Sequence, residues 1–470
     1  MALKATPRIG ILAVGLAAYW PQFPGMRDAI LGHHARLLDL FGGGAERIEI
    51  GLVDTIDGAR AAAAKLAASD VDLVFVHLTT YATSEPLLHV VSAVDVPIVL
   101  LNVQSVRKLD AAKVETIGDW LGVAISCAAL PEMTASLRRI GKRFDIVTGH
   151  LEGDAELAAA LRSWVDAASI RRTLRTSSFG LFGRPYPGMT DLSIDETAFF
   201  SAFGAYTKHL DWDDIANAAV SVPESEAEAR LPALREAFEI PADVEGAPLL
   251  SVARVLAGLD RLIAREGLCA LPNHYEGAVR AEHAAVLAAS NPAFSILMAE
   301  GIACPVEADI KTALAMLVLK AVAGTASLAE LYSMDFEDDV VILGHSGAAD
   351  VTISQQKPTL KHSAVFHGKS GSGFLTQTYP KPGPMTLLSL TQDGDGHFAM
   401  VVAEGEIVEG QPMTLGDTNC RVRFPLGLRG FVGDWAEQGP THHGVMAPGF
   451  HARALRLVAK LFNIDMRQVC

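Results

Sequence analysis

Short apolar runs alternate with helical patterns through the first hundred residues, and this order limits the folds that the chain can adopt. The runs cover residues 8–14, 47–53, 73–76 and 97–102, and segments with helical spacing separate the first three of them. This alternation predicts repeated β–α–β units in a doubly wound parallel sheet. Because the runs are apolar throughout, we expect helices to cover both faces of the sheet.

Two later changes of pattern divide the rest of the chain. A helical pattern leads into a basic stretch and then into an apolar run at residues 178–183, which indicates a new strand and a first boundary near residue 172. After residue 324 the pattern changes to short alternating strands with turn signals. We therefore predict an N-terminal α/β domain (1–172), a second α/β domain (173–324) and an antiparallel β domain (325–470). A helix over residues 448–462, with Pro448 in its first turn, should close the last domain.

Composition and missing motifs disfavour several classes of function. The formal net charge of -15, with no cluster of Lys and Arg, disfavours nucleic acid as a partner. No Gly-x-Gly-x-x-Gly follows the first apolar run, which disfavours a dinucleotide cofactor. No segment supplies the roughly 18 apolar residues of a membrane span, so we expect a cytoplasmic protein. The five scattered cysteines indicate neither a disulfide framework nor a zinc knuckle.

Two carboxylates in the second half of the chain are candidate metal ligands. Glu307 precedes a predicted helix at residues 312–322. It could bind a metal ion, or it could have a purely capping role in which its negative charge interacts favourably with the helix dipole. Glu330 lies in a predicted strand, where alternation places Glu330 and Asp335 on opposite faces. Only one of the two can then join a shared site. We favour Glu330 and keep Asp335 as its rival, because Asp335 could equally start the acidic turn at 337–339.

Three histidines could complete such a site. His345 stands at the end of a predicted strand beside glycines, and His442 and His443 form a tandem pair in a turn-forming loop. Adjacent histidines point in different directions, so one can bind metal while the other contacts the substrate or a supporting group. Carboxylates and imidazoles without a thiolate suit a hard or borderline ion such as Mn²⁺.

Four segments around these residues resemble motifs of the L-arabinose isomerase and L-fucose isomerase superfamily. Residues 307–313 resemble the family's Glu-Gly-Asp-Trp-Lys-Thr-Ala, and residues 324–332 resemble its Gly-Thr-Ser-Phe-Met-Glu-Asp-Tyr. Residues 343–345 resemble Leu-Gly-Ser-His with one residue fewer, and residues 439–443 resemble Gly-Gly-Ala-His-His. The resemblance implies that four residues bind the metal ion, namely Glu307, Glu330, His345 and His443.

The same resemblance implies an activity and an assembly. It implies interconversion of an aldose and a ketose (a pentose, hexose or 6-deoxyhexose) through an enediol, with Glu307 and Glu330 as base and acid. The ion would be Mn²⁺ or another divalent cation such as Co²⁺ or Mg²⁺. Family members form homo-trimers or hexamers in which a neighbour's N-terminal domain completes each site. Five residues are expected to contact the substrate or to support the ligands, namely His442, Asp335, Lys311, Tyr19 and Gln104.

Two other classes of function stay open at this stage. A βαβ scaffold can capture a sugar without chemistry, as in a binding or regulatory protein, and such a protein would have no metal requirement. The same ligand set could also serve a metal-dependent hydrolase or lyase of a polyol-like substrate. The loops at 15–21 and 101–104 differ from the family's substrate-contacting loops, so the resemblance does not fix the sugar.

Overall fold

A computed structural model describes residues 5–123, 126–274, 280–364 and 372–470. Contacts divide the chain into two compact units, Ala5–Arg172 and Thr173–Cys470. The line between them falls inside the helix Ala155–Thr176. The division into three domains at residues 172 and 324 stays a prediction.

The N-terminal unit is built on the predicted parallel sheet, which is confirmed. Its five strands follow the order β2-β1-β3-β4-β5 and all pair in parallel. The strands are β1 (Arg8–Val14), β2 (Glu46–Val53), β3 (Leu73–Leu78), β4 (Ile98–Gln104) and β5 (Phe144–His150). The helices are α1 (Met26–Asp39), α2 (Ile56–Ala67), α3 (Ser84–Val91), α4 (Ile117–Val123), α5 (Ser126–Arg139) and α6 (Ala155–Thr176).

Strand burial in this unit follows from the apolar composition of the strands. Every residue of β3 is buried, and six of the seven residues of β4 are buried. Helices α2, α3 and α5 contribute Leu66, Leu87 and Met133 to the same core as Val74. In the described part of the chain, no single helix is long and apolar enough to cross a membrane. Helices α4 and α5 reach that length and apolar composition only when they are taken together as one bent pair.

The second unit begins with an α/β layer. Its three-stranded parallel sheet has the order β7-β6-β8. The strands are β6 (Ser178–Phe182), β7 (Tyr206–Leu210) and β8 (Leu268–Ala270). Six helices accompany them: α7 (Glu196–Phe203), α8 (Trp212–Val220), α9 (Glu224–Ala237), α10 (Ala247–Glu266), α11 (Ala281–Glu300) and α12 (Ile310–Ala323).

The rest of the second unit is the predicted antiparallel β structure, which is confirmed as a barrel-like sheet. Its strands are β9 (Ser327–Asp335), β10 (Val340–His345), β13 (Gly383–Gln392), β14 (Phe398–Val408), β15 (Thr418–Arg423) and β16 (Gly444–Pro448), and β17 (Asp465–Gln468) joins β14 in parallel. The order β13-β16-β9-β10-β15-β14 closes because β14 also pairs with β13. A separate hairpin pairs β11 (Thr359–Ala364) with β12 (Ser372–Gln377).

Apolar side chains from opposite strands fill this barrel-like sheet. Val341, Met385, Val401 and Met446 belong to one buried cluster, which also takes Phe431 from helix α13 (Gly427–Glu437). Inward-facing residues alternate along the strands, as the two-residue period of a strand requires. Strands β9, β10 and β16 contribute Ala329, Leu343 and Met446 to the cluster, so one core packs against all three strands.

Two local predictions are wrong. The closing helix α14 (Ala452–Phe462) begins four residues later than predicted, because Pro448 pairs with Met385 as the last residue of β16. The second error concerns strand faces. Strand β9 contains a bulge at Tyr332, and the register pairs Glu330 with Gly344 and Asp335 with Val340.

Paired residues in an antiparallel sheet share a face, and Val340 and Gly344 are four residues apart on one strand. Glu330 and Asp335 therefore lie on the same face and not on opposite faces, because the extra residue at the bulge shifts the alternation by one.

Candidate metal centre

The N-terminal end of α12 supplies the first carboxylate of the site. Glu307 and Ala308 both have positive φ angles, 61° and 58°, in a tight turn before the helix. Asp309 is the N-cap residue, and its Oδ1 accepts a hydrogen bond from the backbone N–H of Thr312 at 3.0 Å. The capping role that was an alternative for Glu307 therefore belongs to Asp309. The turn leaves the Glu307 side chain directed to other partners.

Five predicted residues converge at this point of the second unit. The Nε2 atoms of His442 and His443 lie 3.5 and 3.4 Å from Glu307 Oε2, and 3.4 and 3.9 Å from Glu330 Oε1. His345 Nε2 lies 4.0 Å from Glu330 Oε2. The donor atoms form two overlapping groups, Glu307–His442–His443 and Glu330–His345–His443, each within 4.8 Å.

Each of the three imidazoles is held by its other nitrogen. Nδ1 of His345 lies 2.6 Å from the carbonyl oxygen of Ser346 and Nδ1 of His443 lies 2.9 Å from Asp309 Oδ2. Nδ1 of His442 lies 2.7 Å from Asp191 Oδ2. An acceptor beside Nδ1 keeps the proton on that nitrogen and fixes the orientation of the ring, so that Nε2 points away from the acceptor. All three Nε2 atoms are therefore presented to the two glutamates.

Two buried atoms at the centre of the cluster have no hydrogen-bond partner. They are Glu307 Oε2 and His443 Nε2, which approach to 3.4 Å without the alignment of a hydrogen bond. Buried polar atoms are nearly always paired, because an unpaired one loses the hydration that it had in water. A divalent cation among these donors would satisfy both atoms. The donor set therefore fits a divalent ion, with oxygen and nitrogen ligands and no thiolate.

The electrostatics of the cluster favour a bound cation. Burial opposes the charge on Glu307, but His442 and His443 outweigh it and hold the pKa of Glu307 well below its usual range. Burial would lower the pKa of His443, yet the Asp309 carboxylate bonded to its Nδ1 and the negative charge of Glu307 beside its Nε2 raise it to about 10. Burial and the charge of His443 lower the pKa of His345. Glu307 thus stays ionised and attracts positive charge, either as a proton on His443 or as a metal ion.

Two of the expected supporting residues lie outside the donor groups. Lys311 is buried, and its Nζ donates hydrogen bonds to the carbonyl oxygens of Asp191 and Ser193, both at 2.8 Å. Asp335 forms an ion pair with Arg421 at 2.8 Å, and it accepts hydrogen bonds from two backbone N–H groups of the acidic turn. The structure therefore gives Asp335 the turn-forming role that was its alternative.

Tyr19 and Gln104 lie in the N-terminal unit. Tyr19 ends a one-turn helix, and its ring packs edge-on against Phe23 with centroids 5.7 Å apart. Gln104 ends β4, and its side-chain amide donates a hydrogen bond to the carbonyl oxygen of Val106 at 2.7 Å. Their expected contacts with a substrate stay predictions.

Sequence reasoning missed two residues that hold the histidines. Asp309 stands two residues after Glu307 in the segment that resembles the family motif, so its position was a usable signal. Asp191 is 251 residues from His442 in the chain, and no pattern in the sequence connects the two.

Comparison with known proteins agrees with this site. Residues 325–465 match the family model of the L-arabinose isomerase C-terminal domain. An L-arabinose isomerase from Serratia proteamaculans (strain 568) is 24% identical over 343 residues, which cover 70% of this chain and 67% of that protein. The likeness indicates a sugar isomerase.

Among solved structures, one described as "Structure of A-type Ketoreductases from Modular Polyketide Synthase" covers 64% of this chain and 80% of its own. Its sequence identity is 14% and its TM-score is 0.22, which is too low to carry any argument. The family model and the sequence relative agree with each other and with the site. Residues 325–465 are thus similar to the C-terminal domain of L-arabinose isomerases, and the weaker likeness over 70% of the chain supports the L-arabinose isomerase superfamily.

Proposed function

We propose that the protein is a metal-dependent sugar isomerase that interconverts an aldose and a ketose through an enediol. The observation that carries this proposal is the convergence of two glutamates and three oriented imidazoles around two unpaired buried atoms. Moving a proton between C1 and C2 of a sugar requires groups that accept and return protons beside a centre of positive charge. The cluster supplies both kinds of group.

The residues proposed to hold the ion are Glu307, Glu330, His345 and His443. Mn²⁺ is the first candidate, and Co²⁺ or Mg²⁺ are alternatives with the same preference for oxygen and nitrogen donors. When bound, the ion would lower the pKa of the sugar hydroxyls and neutralise the charge that develops as the proton leaves carbon. Asp309 and Ser346 support it indirectly, because each holds the Nδ1 side of a ligand imidazole.

Glu307 and Glu330 are proposed to act as base and acid. They differ in exposure, since the side chain of Glu307 is 7% exposed and that of Glu330 is 30% exposed. The buried Glu307 carboxylate keeps its charge at neutral pH, so it is available to accept a proton. Glu330 lies on the more open side of the cluster, where a bound sugar and water can reach it. The stereochemistry of the substrate decides which carboxylate removes the proton.

The test is a conversion assay with purified protein, Mn²⁺ and a panel of pentoses, hexoses and 6-deoxyhexoses. We expect at least one aldose to yield its ketose, with activity lost after chelation and restored by Mn²⁺. Glu307→Gln, Glu330→Gln and His345→Ala should each lower turnover at least about a hundredfold, as expected for loss of a base or a ligand. Glu337→Gln is the matched control, because Glu337 lies exposed in the acidic turn. Full activity in Glu330→Gln would overturn the assignment.

The same panel separates the other classes of function. Sugar binding without conversion and without a metal requirement would indicate a binding or regulatory protein. Cleavage or elimination products would indicate a hydrolase or lyase.

We further propose that the chain forms a homo-oligomer, a trimer or hexamer, as the family resemblance implies. Mass measurement in solution tests this part, and an active monomer of 49.9 kDa would contradict it.

A further inference from the structure

Asp191 is bonded to His442 at two points. Its Oδ2 atom accepts hydrogen bonds from the backbone N–H of His442 at 3.0 Å and from Nδ1 of the same residue at 2.7 Å. One carboxylate oxygen thus fixes both the backbone and the ring of His442. The side chain of His442 then has a single orientation, with Nε2 directed at Glu307 and Glu330.

A buried cation fixes the backbone that carries Asp191. Lys311 lies in α12, two residues after the N-cap Asp309, and is 1% exposed. Its Nζ donates to the carbonyl oxygens of Asp191 and Ser193, on either side of Leu192. A buried ammonium group has to be paired, so the segment from 191 to 193 is tied to the same helix that positions Glu307. Together with the two bonds from His442 to Asp191, these hydrogen bonds connect α12 through Asp191 to His442.

His442 differs from the other two imidazoles in exposure. Its side chain is 33% exposed, whereas those of His345 and His443 are 8% and 0% exposed. The other four donors, which are buried or half-buried, already provide two carboxylates (Glu307 and Glu330) and two imidazoles (His345 and His443) for an ion. His442 lies on the open side of this set, where a sugar has to approach.

We infer that Asp191, anchored by Lys311, is a positioning residue that holds His442 so that its Nε2 meets a hydroxyl of the bound sugar. The inference rests on the proposed function. Asp191 itself contacts neither the ion nor the sugar in this assignment. Removing it should let the His442 ring rotate and should weaken the binding of sugar more than the binding of metal.

The experiment compares Asp191→Ala and Asp191→Asn with the wild-type protein. For Asp191→Ala we expect kcat/KM to fall roughly 10- to 100-fold, mainly through a higher KM, which is the usual scale for loss of an orienting partner. Asn keeps an oxygen that can accept from His442, so Asp191→Asn should retain more activity. The dissociation constant for Mn²⁺, measured by calorimetry without sugar, should change little in either variant.

Asp195→Ala is the matched control. Asp195 lies in the same connection and caps α7 through the backbone N–H groups of Thr197 and Ala198, without contacting His442. This variant should lower the thermal unfolding midpoint slightly, through loss of the helix cap, and keep wild-type KM and kcat. A rise in KM that appears equally in Asp195→Ala would show that general loosening of the connection is enough, and would overturn the inference.

Two further results would overturn the inference. One is wild-type kinetics in Asp191→Ala, and the other is an activity loss that excess Mn²⁺ fully restores. A crystal structure of Asp191→Ala gives a readout that does not depend on turnover, because an unchanged His442 ring would also contradict the positioning role. Absence of sugar conversion by the wild-type protein would instead reject the proposed function, so the two failures are distinguishable.

Discussion

At the scale of single residues, the site is organised by the groups that hold the imidazoles. His443 is fully buried, and its orientation depends on Asp309, whose two carboxylate oxygens have different partners. Oδ1 caps α12 at Thr312, while Oδ2 lies 2.9 Å from Nδ1 of His443 and 2.7 Å from the hydroxyl of Thr312. One residue therefore links the start of a helix to the orientation of a proposed metal ligand.

Asp309→Asn should separate these two roles. Asparagine caps helices about as well as aspartate, so we expect the thermal unfolding midpoint to change little. The variant loses the negative charge beside His443, and the affinity for Mn²⁺ should fall roughly 10- to 100-fold, as for other orienting carboxylates. Calorimetric titration of the metal-free protein measures this, and Asp195→Asn, at the N-cap of α7, is the control. Unchanged Mn²⁺ affinity would show that Asp309 serves only as a cap.

The donors themselves were accessible from the sequence, and their supports were only partly so. Glu307, Glu330, His345 and the tandem histidines stand in short motifs whose residue types suit a metal ion. The motifs do not identify Asp191 as a partner of His442, because the two residues are 251 positions apart in the chain. They come into contact only in the folded second unit. Lys311 stands inside a motif, yet its role as an anchor depends on two carbonyl groups from the segment of Asp191.

At the scale of elements, the order of strands and helices followed from periodicity, while strand faces did not. The bulge at Tyr332 changes which side chains of β9 share a face, so alternation alone misplaced Asp335 relative to Glu330. A bulge depends on how two strands pair, and one strand's sequence carries little sign of it. The late start of α14 has a similar cause, because Pro448 continues β16 in a pairing with β13.

Gly344 shows how tightly this part of the sheet is packed. It pairs with Glu330 on β9 and precedes His345, so it lies between two proposed ligands. A Cβ atom at this position would collide with the carbonyl oxygen of Thr418 on β15 and would lie 2.7 Å from the ring of Tyr332. Backbone atoms of a paired strand cannot move aside without breaking the sheet.

Gly344→Ala should therefore destabilise the protein by about 1–3 kcal/mol, the usual cost of overpacking a filled interior. We also expect weaker Mn²⁺ binding, because the displaced strand carries His345. Urea unfolding and metal titration measure the two effects. Gly433→Ala is the control, since Gly433 is exposed in α13 with nothing near its added Cβ, and alanine there should stabilise the helix by roughly 0.5–1 kcal/mol. Equal stability in both variants would contradict the packing argument.

At the scale of the whole molecule, the predicted functional residues are divided between the two units. The metal centre lies entirely in Thr173–Cys470. This unit holds its two glutamates and three histidines, and also the supporting residues Asp191, Asp309 and Lys311. Tyr19 and Gln104 lie in Ala5–Arg172. The family resemblance predicts that a neighbouring subunit supplies the N-terminal residues of each site. The sequence could indicate this arrangement only through that resemblance, because no pattern within one chain records the contact between copies.

Co-expression of two inactive variants tests this arrangement. One chain would carry Glu330→Gln in its second unit, and the other would carry both Tyr19→Ala and Gln104→Ala in its N-terminal unit. If sites form between neighbours, a randomly mixed ring pairs an intact metal centre with an intact N-terminal unit in about one quarter of its sites. Isomerase activity near that fraction of wild type is therefore expected, although each variant alone is nearly inactive. If each chain completes its own site, every site in the mixture carries a defect, and activity at the background of the separate variants would reject shared sites.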